Sequence, residues 1–464
     1  RGLPSYRQPS RSVLQKGQFA AETRGATELT AANPTTDTMN HLTPLHEAQR
    51  IVLDATAVLG LEKISLLDAL GRTIGEDIVA ERDNPPWDNS AMDGFAVRWE
   101  DIKQDQAIQK PVTLAVIEDV PAGKMPSKTV GVGQAIRIMT GAPIPQGADT
   151  VLKVEDTEQT SDTVRVFKPE PRGSNIRPQG EDVKKGECII AKGTPIRSGE
   201  AGMLAVLAKS FLFAYQRPRV AILSTGDELA DLDERFSDEK IINSNSYGIA
   251  AAVQEAGGIP LLLGIARDTQ AALKEKISQG LNADILVLSG GVSMGDYDFT
   301  KAVFREIGAE MNFWKLAIRP GQPLAFGKIQ GKLAFGLPGN PVSSMVTFEQ
   351  LVRPALLKMA GRPSYGRPVI DAVFQETFSK RPDRRHFLRG ILTREKGIFK
   401  VRTTGGQGSG ILTSMVKANC LIDVPVEVER LAPGDVVSVQ LLSGEAWLTK
   451  SEHVHVVDHR SSCC

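Results

Sequence analysis

Apolar residues recur along the chain at two spacings, and the changes between them divide it. Leu45, Ala48, Ile51, Val52, Ala55, Val58 and Leu59 fall three and four apart, which predicts an amphipathic helix over 45–61. Between 95 and 190 the spacing shortens to alternation. Strands are predicted at 112–117, 134–139, 150–154, 163–167 and 187–190, separated by Gly, Pro and Asp turns, with no helix longer than three turns. From 217 the pattern changes again: apolar strands at 220–223, 260–264 and 285–288 alternate with helical stretches at 246–256, 270–279 and 299–306. Beyond 363, β-like alternation returns at 369–374, 390–392, 399–403, 420–424 and 436–441.

Strands alternating with helices of this length need right-handed crossovers, so 217–362 is read as a doubly wound, mainly parallel sheet. Ligands of such a sheet bind at the carboxyl ends of its strands. The paired Pro85 and Pro86 stop regular structure and put a boundary near 81. The fold class is therefore α/β and multidomain, with small β domains beside the doubly wound one.

Composition narrows the function classes. At 464 residues, 41% hydrophobic and 24% charged, the chain is neither disordered nor fibrous. Its 55 basic and 55 acidic residues leave no global field to attract nucleic acid. Apolar runs such as 259–265 are only strand length, so no membrane span is expected and a cytoplasmic protein is. Cys188, Cys420, Cys463 and Cys464 form neither a disulfide framework nor a CxxC metal site. Residues 1–38 are read as a tail left by processing or cloning, with Met39 as the natural start. Glu22, Glu28 and Asp37 argue against a transit peptide. Residues 442–464, with His453, His455 and His459, are likewise set aside as a tail.

Candidate chemistry gathers at the predicted strand ends. The strand 220–223 runs into Ser224-Thr225-Gly226-Asp227-Glu228, where carboxylates can hold Mg²⁺ and hydroxyls an oxyanion, or Ser224 and Asp227 only shape the turn; both readings stand. The strand 285–288 empties into Ser289-Gly290-Gly291-Val292-Ser293-Met294-Gly295-Asp296-Tyr297-Asp298, small residues that cradle a phosphate before a helix N-terminus. Asp296 and Asp298 suit that cradle if a divalent cation bridges them to the phosphate, with helix capping by Asp298 as the competing role. In Leu337-Pro338-Gly339-Asn340-Pro341, Asn340 is read as an N-cap and Pro341 as the first residue of a helix. Lys315 and Arg319 put two cations in one turn-rich stretch, fit to neutralise an oxyanion. The pentapeptide 291–295 also satisfies G-x-S-x-G, but only His386 follows it in the folded region and Ser293 is not on the strand's sharp end, which disfavours a hydrolase. The absence of GxGxxG, GxxxxGK[ST] and HExxH removes nicotinamide oxidoreductases and P-loop kinases.

Taken in order, Asn89 to Ala96, Arg137 to Ala142, Ser224 to Glu228, Ser289 to Ser293 and Leu337 to Ser343 resemble the MoeA family of molybdopterin molybdenumtransferases, which includes the gephyrin E domain. The resemblance runs from about 40 to 441. It implies an elongated four-domain subunit: domain I from 39–80 and 181–216 (linker and dimerisation), domain II from 81–180, a MogA-like, molybdopterin-binding domain III from 217–362, and domain IV from 363–441. It implies a homodimer with the site near the subunit interface, and Mg²⁺-dependent insertion of molybdenum from molybdate into adenylylated molybdopterin with release of AMP. Contact with the molybdopterin adenylyltransferase and with molybdoenzyme chaperones follows as a further expectation. Carried over by position, the family's acids fall on Asp93, Asp182, Glu228, Asp268 and Asp298, its threonine on Thr140, its first lysine on Lys315, its arginine on Arg389 and its serine on Ser409. Glu228 and Asp298 are the implied Mg²⁺ ligands. Ser289, Gly290, Gly291, Ser293, Pro338, Asn340, Pro341, Arg389 and Ser409 are the implied substrate contacts. Arg319 departs from the second lysine of bacterial relatives, keeping the charge with a planar donor. The alternative functions are adenylyl transfer from ATP to molybdopterin and a non-catalytic, gephyrin-like binding scaffold.

Overall fold

The computed structural model describes residues 42–103, 111–234, 238–291 and 297–442, with the backbone alone for 297–301. Its described residues form three six-stranded sheets and several two-stranded ribbons.

The central sheet is the doubly wound one. Four parallel strands run in the order Ile259–Ala266, Arg219–Thr225, Ile285–Ser289 and Lys332–Leu337, and two antiparallel strands, Pro323–Ile329 and Glu310–Lys315, extend one edge. Ile285–Ser289 is buried at every position, as a central parallel strand covered on both faces must be. The helices Ser244–Glu255, Gln270–Gly280 and Tyr297–Glu306 lie close to the expected stretches. The antiparallel extension was not read from the sequence, because its strands alternate with Lys and Gly instead of forming an apolar run.

The expected helix over 45–61 ends early, at Leu45–Ala55. The Thr56 hydroxyl bonds the Val52 carbonyl at 2.7 Å, the Leu59 amide leaves to bond the Met359 carbonyl at 2.9 Å, and Leu61–Ser65 pairs with Phe211–Tyr215. Tertiary and strand hydrogen bonds thus override the continued 3.6-residue spacing.

A second sheet holds Thr150–Lys153, Gly94–Val97, Gln134–Ile138, Val112–Val120, Thr163–Val166 and Thr157–Thr160. The third closes on itself. Arg385–Glu395 pairs with Ile398–Thr403 and also with Cys420–Val424, and Val369–Phe374 and Val436–Leu441 complete the ring. The expected strand 390–392 is the middle of this long strand, whose first half breaks the apolar pattern with Arg385, His386 and Arg389.

The barrel is fastened to the central sheet at two places. Ile318–Arg319, three residues beyond the edge strand, pairs in parallel with Arg385 and His386. Phe387, fully buried, joins the large core formed by the central sheet and the opening helix, while its neighbour Leu388 faces the barrel core. Phe387→Ala should cost about 3–5 kcal/mol of stability through the cavity it leaves at this seam, read as a lower denaturant midpoint.

Candidate functional site

Three parallel strands end side by side, and their turns enclose a cavity of about 390 Å³. Ser224, Thr225, Gly226 and Glu228 line it from one strand end, Ser289 to Gly291 from the next, and Gly339 and Pro341 from the third. Gly226 has φ +142°, and a Cβ there would lie 2.5 Å from the Glu228 carboxylate. Gly290 has φ +90°, with the Thr225 carbonyl 2.9 Å from a Cβ position. Neither site tolerates a side chain, so backbone can approach a ligand closely there.

A polar network fixes these turns. Buried Ser224 donates to Asn243 Oδ1 at 2.8 Å and contacts Ser246 Oγ at 2.8 Å, and Asn243 caps the helix that starts at Ser244. Asn245 Nδ2 donates to Ser289 Oγ at 2.9 Å and to the Gly339 carbonyl at 2.7 Å, so one amide braces two strand ends. Thr225 Oγ1 is buried without a partner among the described residues. Sequence reading missed Asn243, Asn245 and Ser246. The signal was the run Asn243-Ser244-Asn245-Ser246, which reads as an ordinary cap until the strand order is known.

Glu228 and Asp268 line this cavity and are exposed. Asp227 and Asp268 trade backbone amides, each at 3.3 Å. Among the described residues no three His, Cys, Asp or Glu side chains come together as a metal-binding group. Asp298 lies in the first turn of Tyr297–Glu306, but its side chain, like the whole of Ser293, is outside the described residues. Pro341 begins the helix Pro341–Thr347 as expected, whereas Asn340, at the cap position, makes no capping side-chain bond and stands exposed.

A second cavity of about 450 Å³ opens at the seam with the barrel and is rich in cations: Arg319, Lys380, Arg381, Arg384 and Arg389 line it, with Asp383, His386 and Gln407. Arg389 is 1% exposed. Its guanidinium donates to Ser414 Oγ at 3.1 Å and to the carbonyls of Phe387 at 3.3 Å and Gly408 at 3.4 Å, and meets no carboxylate among the described residues. Burial lowers its pKa to about 10, so it stays charged at neutral pH. Gln407 clamps the same backbone, accepting from the Arg389 amide at 2.9 Å and donating to its carbonyl at 3.2 Å.

The loop 404–410 separates the two cavities. Gln407 lines the cationic one and Gly410 the other, and the Ser409 carbonyl accepts from the Val342 amide at 3.1 Å in the first turn of Pro341–Thr347. Lys315 ends the edge strand at this seam, its carbonyl bonded to the Thr43 amide at 3.0 Å, and it lines neither cavity.

Asp93, Thr140 and Asp182 stand apart from both cavities of their own chain. Asp93 Oδ1 accepts from the amide and the hydroxyl of Thr140, each at 2.7 Å, and these two bonds hold its carboxyl below the usual range. Asp182 accepts from Asn84 Nδ2 at 2.9 Å. All three are exposed.

Comparison with known proteins places these features in one line of descent. The MoeA N-terminal region (domain I and II) matches 43–208, the probable molybdopterin binding domain 221–358, and the MoeA C-terminal region (domain IV) 371–442. The chain is 36% identical to the molybdopterin molybdenumtransferase of Nostoc sp. over 387 residues, 82% of this chain and 88% of that one. To that of Haemophilus influenzae it is 36% identical over 388 residues, 82% and 93% of the two chains. The crystal structure of the molybdopterin biosynthesis MoeA protein from Pyrococcus horikoshii OT3 superposes with a TM-score of 0.74 at 33% identity, covering 86% of this chain and all of that one.

Thr140→Val should let the Asp93 pKa rise toward the ordinary aspartate value, because one of the two bonds favouring the carboxylate is removed; an NMR titration of the Asp93 carboxyl reads it.

Proposed function

The chain belongs to the MoeA family, and from that membership we propose that it is a molybdopterin molybdenumtransferase, inserting molybdenum from molybdate into adenylylated molybdopterin with Mg²⁺ and releasing AMP. The observation that carries this reading is Arg389: a buried guanidinium without a counter-charge among the described residues, one loop away from a strand-end cavity. A buried charge is costly unless paired, and a tetrahedral dianion is a fitting partner.

In this reading Arg389 and Ser409 hold molybdate, with Arg319 balancing its charge. The nucleotide-pterin lies in the strand-end cavity over Ser289, Gly290, Gly291 and Ser293, with Pro338, Asn340 and Pro341 at its wall. Glu228 faces that cavity and Asp298 starts the neighbouring helix. Two carboxylates at strand ends suit Mg²⁺, which takes one or two protein oxygens and completes its shell with substrate phosphates and water. When bound, the cation neutralises charge on the phosphate bridge. Asp268 adds a third carboxylate to the same rim, and Lys315 is assigned the charge that develops as the bridge breaks.

Asp93, Thr140 and Asp182 are assigned to the site of a second copy, in a homodimer. An exposed apolar face supports that assembly: Leu67 is 92% and Phe211 58% exposed, with Leu61, Leu70, Val79 and Phe213 also exposed. No helix among the described residues is long and apolar enough to cross a membrane. We assign the enzyme to the cytoplasm, taking its substrate from an adenylyltransferase and passing its product to molybdoenzyme chaperones.

Purified protein given adenylylated molybdopterin, molybdate and Mg²⁺ should release AMP, and Arg389→Met should lower molybdate-dependent release about a hundredfold. No AMP from the wild type overturns the reading, and pyrophosphate formed from ATP would mark adenylyl transfer instead. Leu67→Glu with Phe211→Glu should give monomers by analytical ultracentrifugation and lose turnover with the dimer.

A further inference from the structure

His386 is absent from the assignments above, yet it is built into the cationic cavity. It is 6% exposed and lines the cavity, and its Nε2 is buried with no hydrogen-bond partner among the described residues. Its place is fixed from two sides. Strand pairing sets it directly opposite Arg319, and the Phe378 ring meets the imidazole edge-on, with centroids 6.0 Å apart. A polar nitrogen held this firmly, in a cavity, with nothing to bond, calls for a ligand.

The charges around it define that ligand. Arg319 faces it from the adjoining strand and Lys380, Asp383 and Arg384 from the loop before its own strand. Lys380 is a fixed charge, its amine spent on the carbonyls of Arg384 at 3.0 Å and Val426 at 2.9 Å. Arg384 is tied to Gln322 and to Asp383, while the next residue, Arg385, is closed off by a bidentate pair with Asp423 at 2.6 Å. With Arg381 and Arg389, five cations line the cavity against one carboxylate, a surplus of about four positive charges that selects an anion of high charge such as a dianion. Burial first, then the neighbouring cations, push the imidazole pKa down to about 4, so these surroundings hold it neutral.

We propose that His386 is a proton-linked ligand of the cavity: its Nε2–H hydrogen-bonds a tetrahedral oxyanion dianion beside Arg319, and the imidazole takes one proton from solvent as the dianion enters. This deepens the reading that the cavity takes molybdate and rests on it. The sign follows from linkage. The complex binds more protons than the free protein, so affinity rises as pH falls between the free and bound imidazole values.

The test is calorimetric titration of molybdate into the full chain between pH 6.5 and 8.5, in two buffers of different ionisation heat. Wild type should take up close to one proton per molybdate at pH 6.5, with affinity falling toward pH 8.5. His386→Gln keeps a donor that does not titrate; it should bind with no proton uptake and a flat pH profile. His386→Phe should bind roughly tenfold more weakly at pH 6.5, the loss of one hydrogen bond to a charged group. Proton uptake unchanged in His386→Gln, or absent in a wild type that still binds molybdate, overturns the proposal and leaves molybdate capture standing. A wild type that binds no molybdate removes the reading of the cavity itself.

Discussion

A guanidinium that water does not reach constrains everything around it. Arg389 is buried at the foot of a closed barrel and donates only to a hydroxyl and two carbonyls. Neutral acceptors offset part of the desolvation of a charge but not all of it. The arrangement persists because its surroundings cannot relax: Gln407 clamps the backbone from both sides, and Phe387, two residues earlier, is locked into the core of the neighbouring sheet. In the proposed reading, stability given up at this point would return as affinity for the oxyanion.

The same clamp shapes the other cavity. Gln407 and Gly410 belong to one short loop, so fixing the first positions the second against the glycine turns of the parallel sheet. The seam is short on its other side too. Only Leu316 and Ala317 separate the edge strand of the central sheet from the residues that pair with the barrel, and the Ala317 carbonyl takes the Arg385 amide at 3.1 Å. Lys315 therefore ends one strand and Arg319 closes the next, with only Leu316, Ala317 and Ile318 between them. A planar donor at 319 lies opposite His386 in the register, so the departure from lysine falls where two strands, not one flexible side chain, set the geometry.

How legible this was differs by residue. The parallel strands and their Gly-rich turns announced themselves because a strand buried on both faces must be continuously apolar and a ligand-approaching turn must be small. The cationic cavity did not. Lys380, Arg381 and Arg384 carry no signal in the sequence, and only pairing across more than sixty residues brings their stretch to Arg319. Asn245 was hidden for the same reason, since its partners, Ser289 and Gly339, come from two other strand ends. Glu228 was legible at its strand end, whereas Asp268, Arg389 and Ser409 came from resemblance. No local spacing links those three, and it is the order of strands in the sheet and the closing of the barrel that put Asp268 on one cavity and Arg389 on the other.

The acids far from either cavity carry the last step. Asp93 spends one oxygen on both donors of Thr140 and leaves Oδ2 without a partner among the described residues, on a strand end braced by Gly94, whose missing Cβ would lie 1.7 Å from the Leu152 carbonyl. Holding a surface carboxylate ionised and oriented, on a backbone that tolerates no side chain beside it, contributes nothing to its own sheet that a turn residue would not. Such preorganisation makes sense toward a charge outside the chain. Of the exposed apolar residues, Leu61, Phe211 and Phe213 stand on the ribbon of Leu61–Ser65 and Phe211–Tyr215, with Leu67 just beyond it, and none of them lines the strand-end cavity. In the proposed dimer, a second copy seated there would give Asp93, Thr140 and Asp182 the cavities that their own chain holds apart from them.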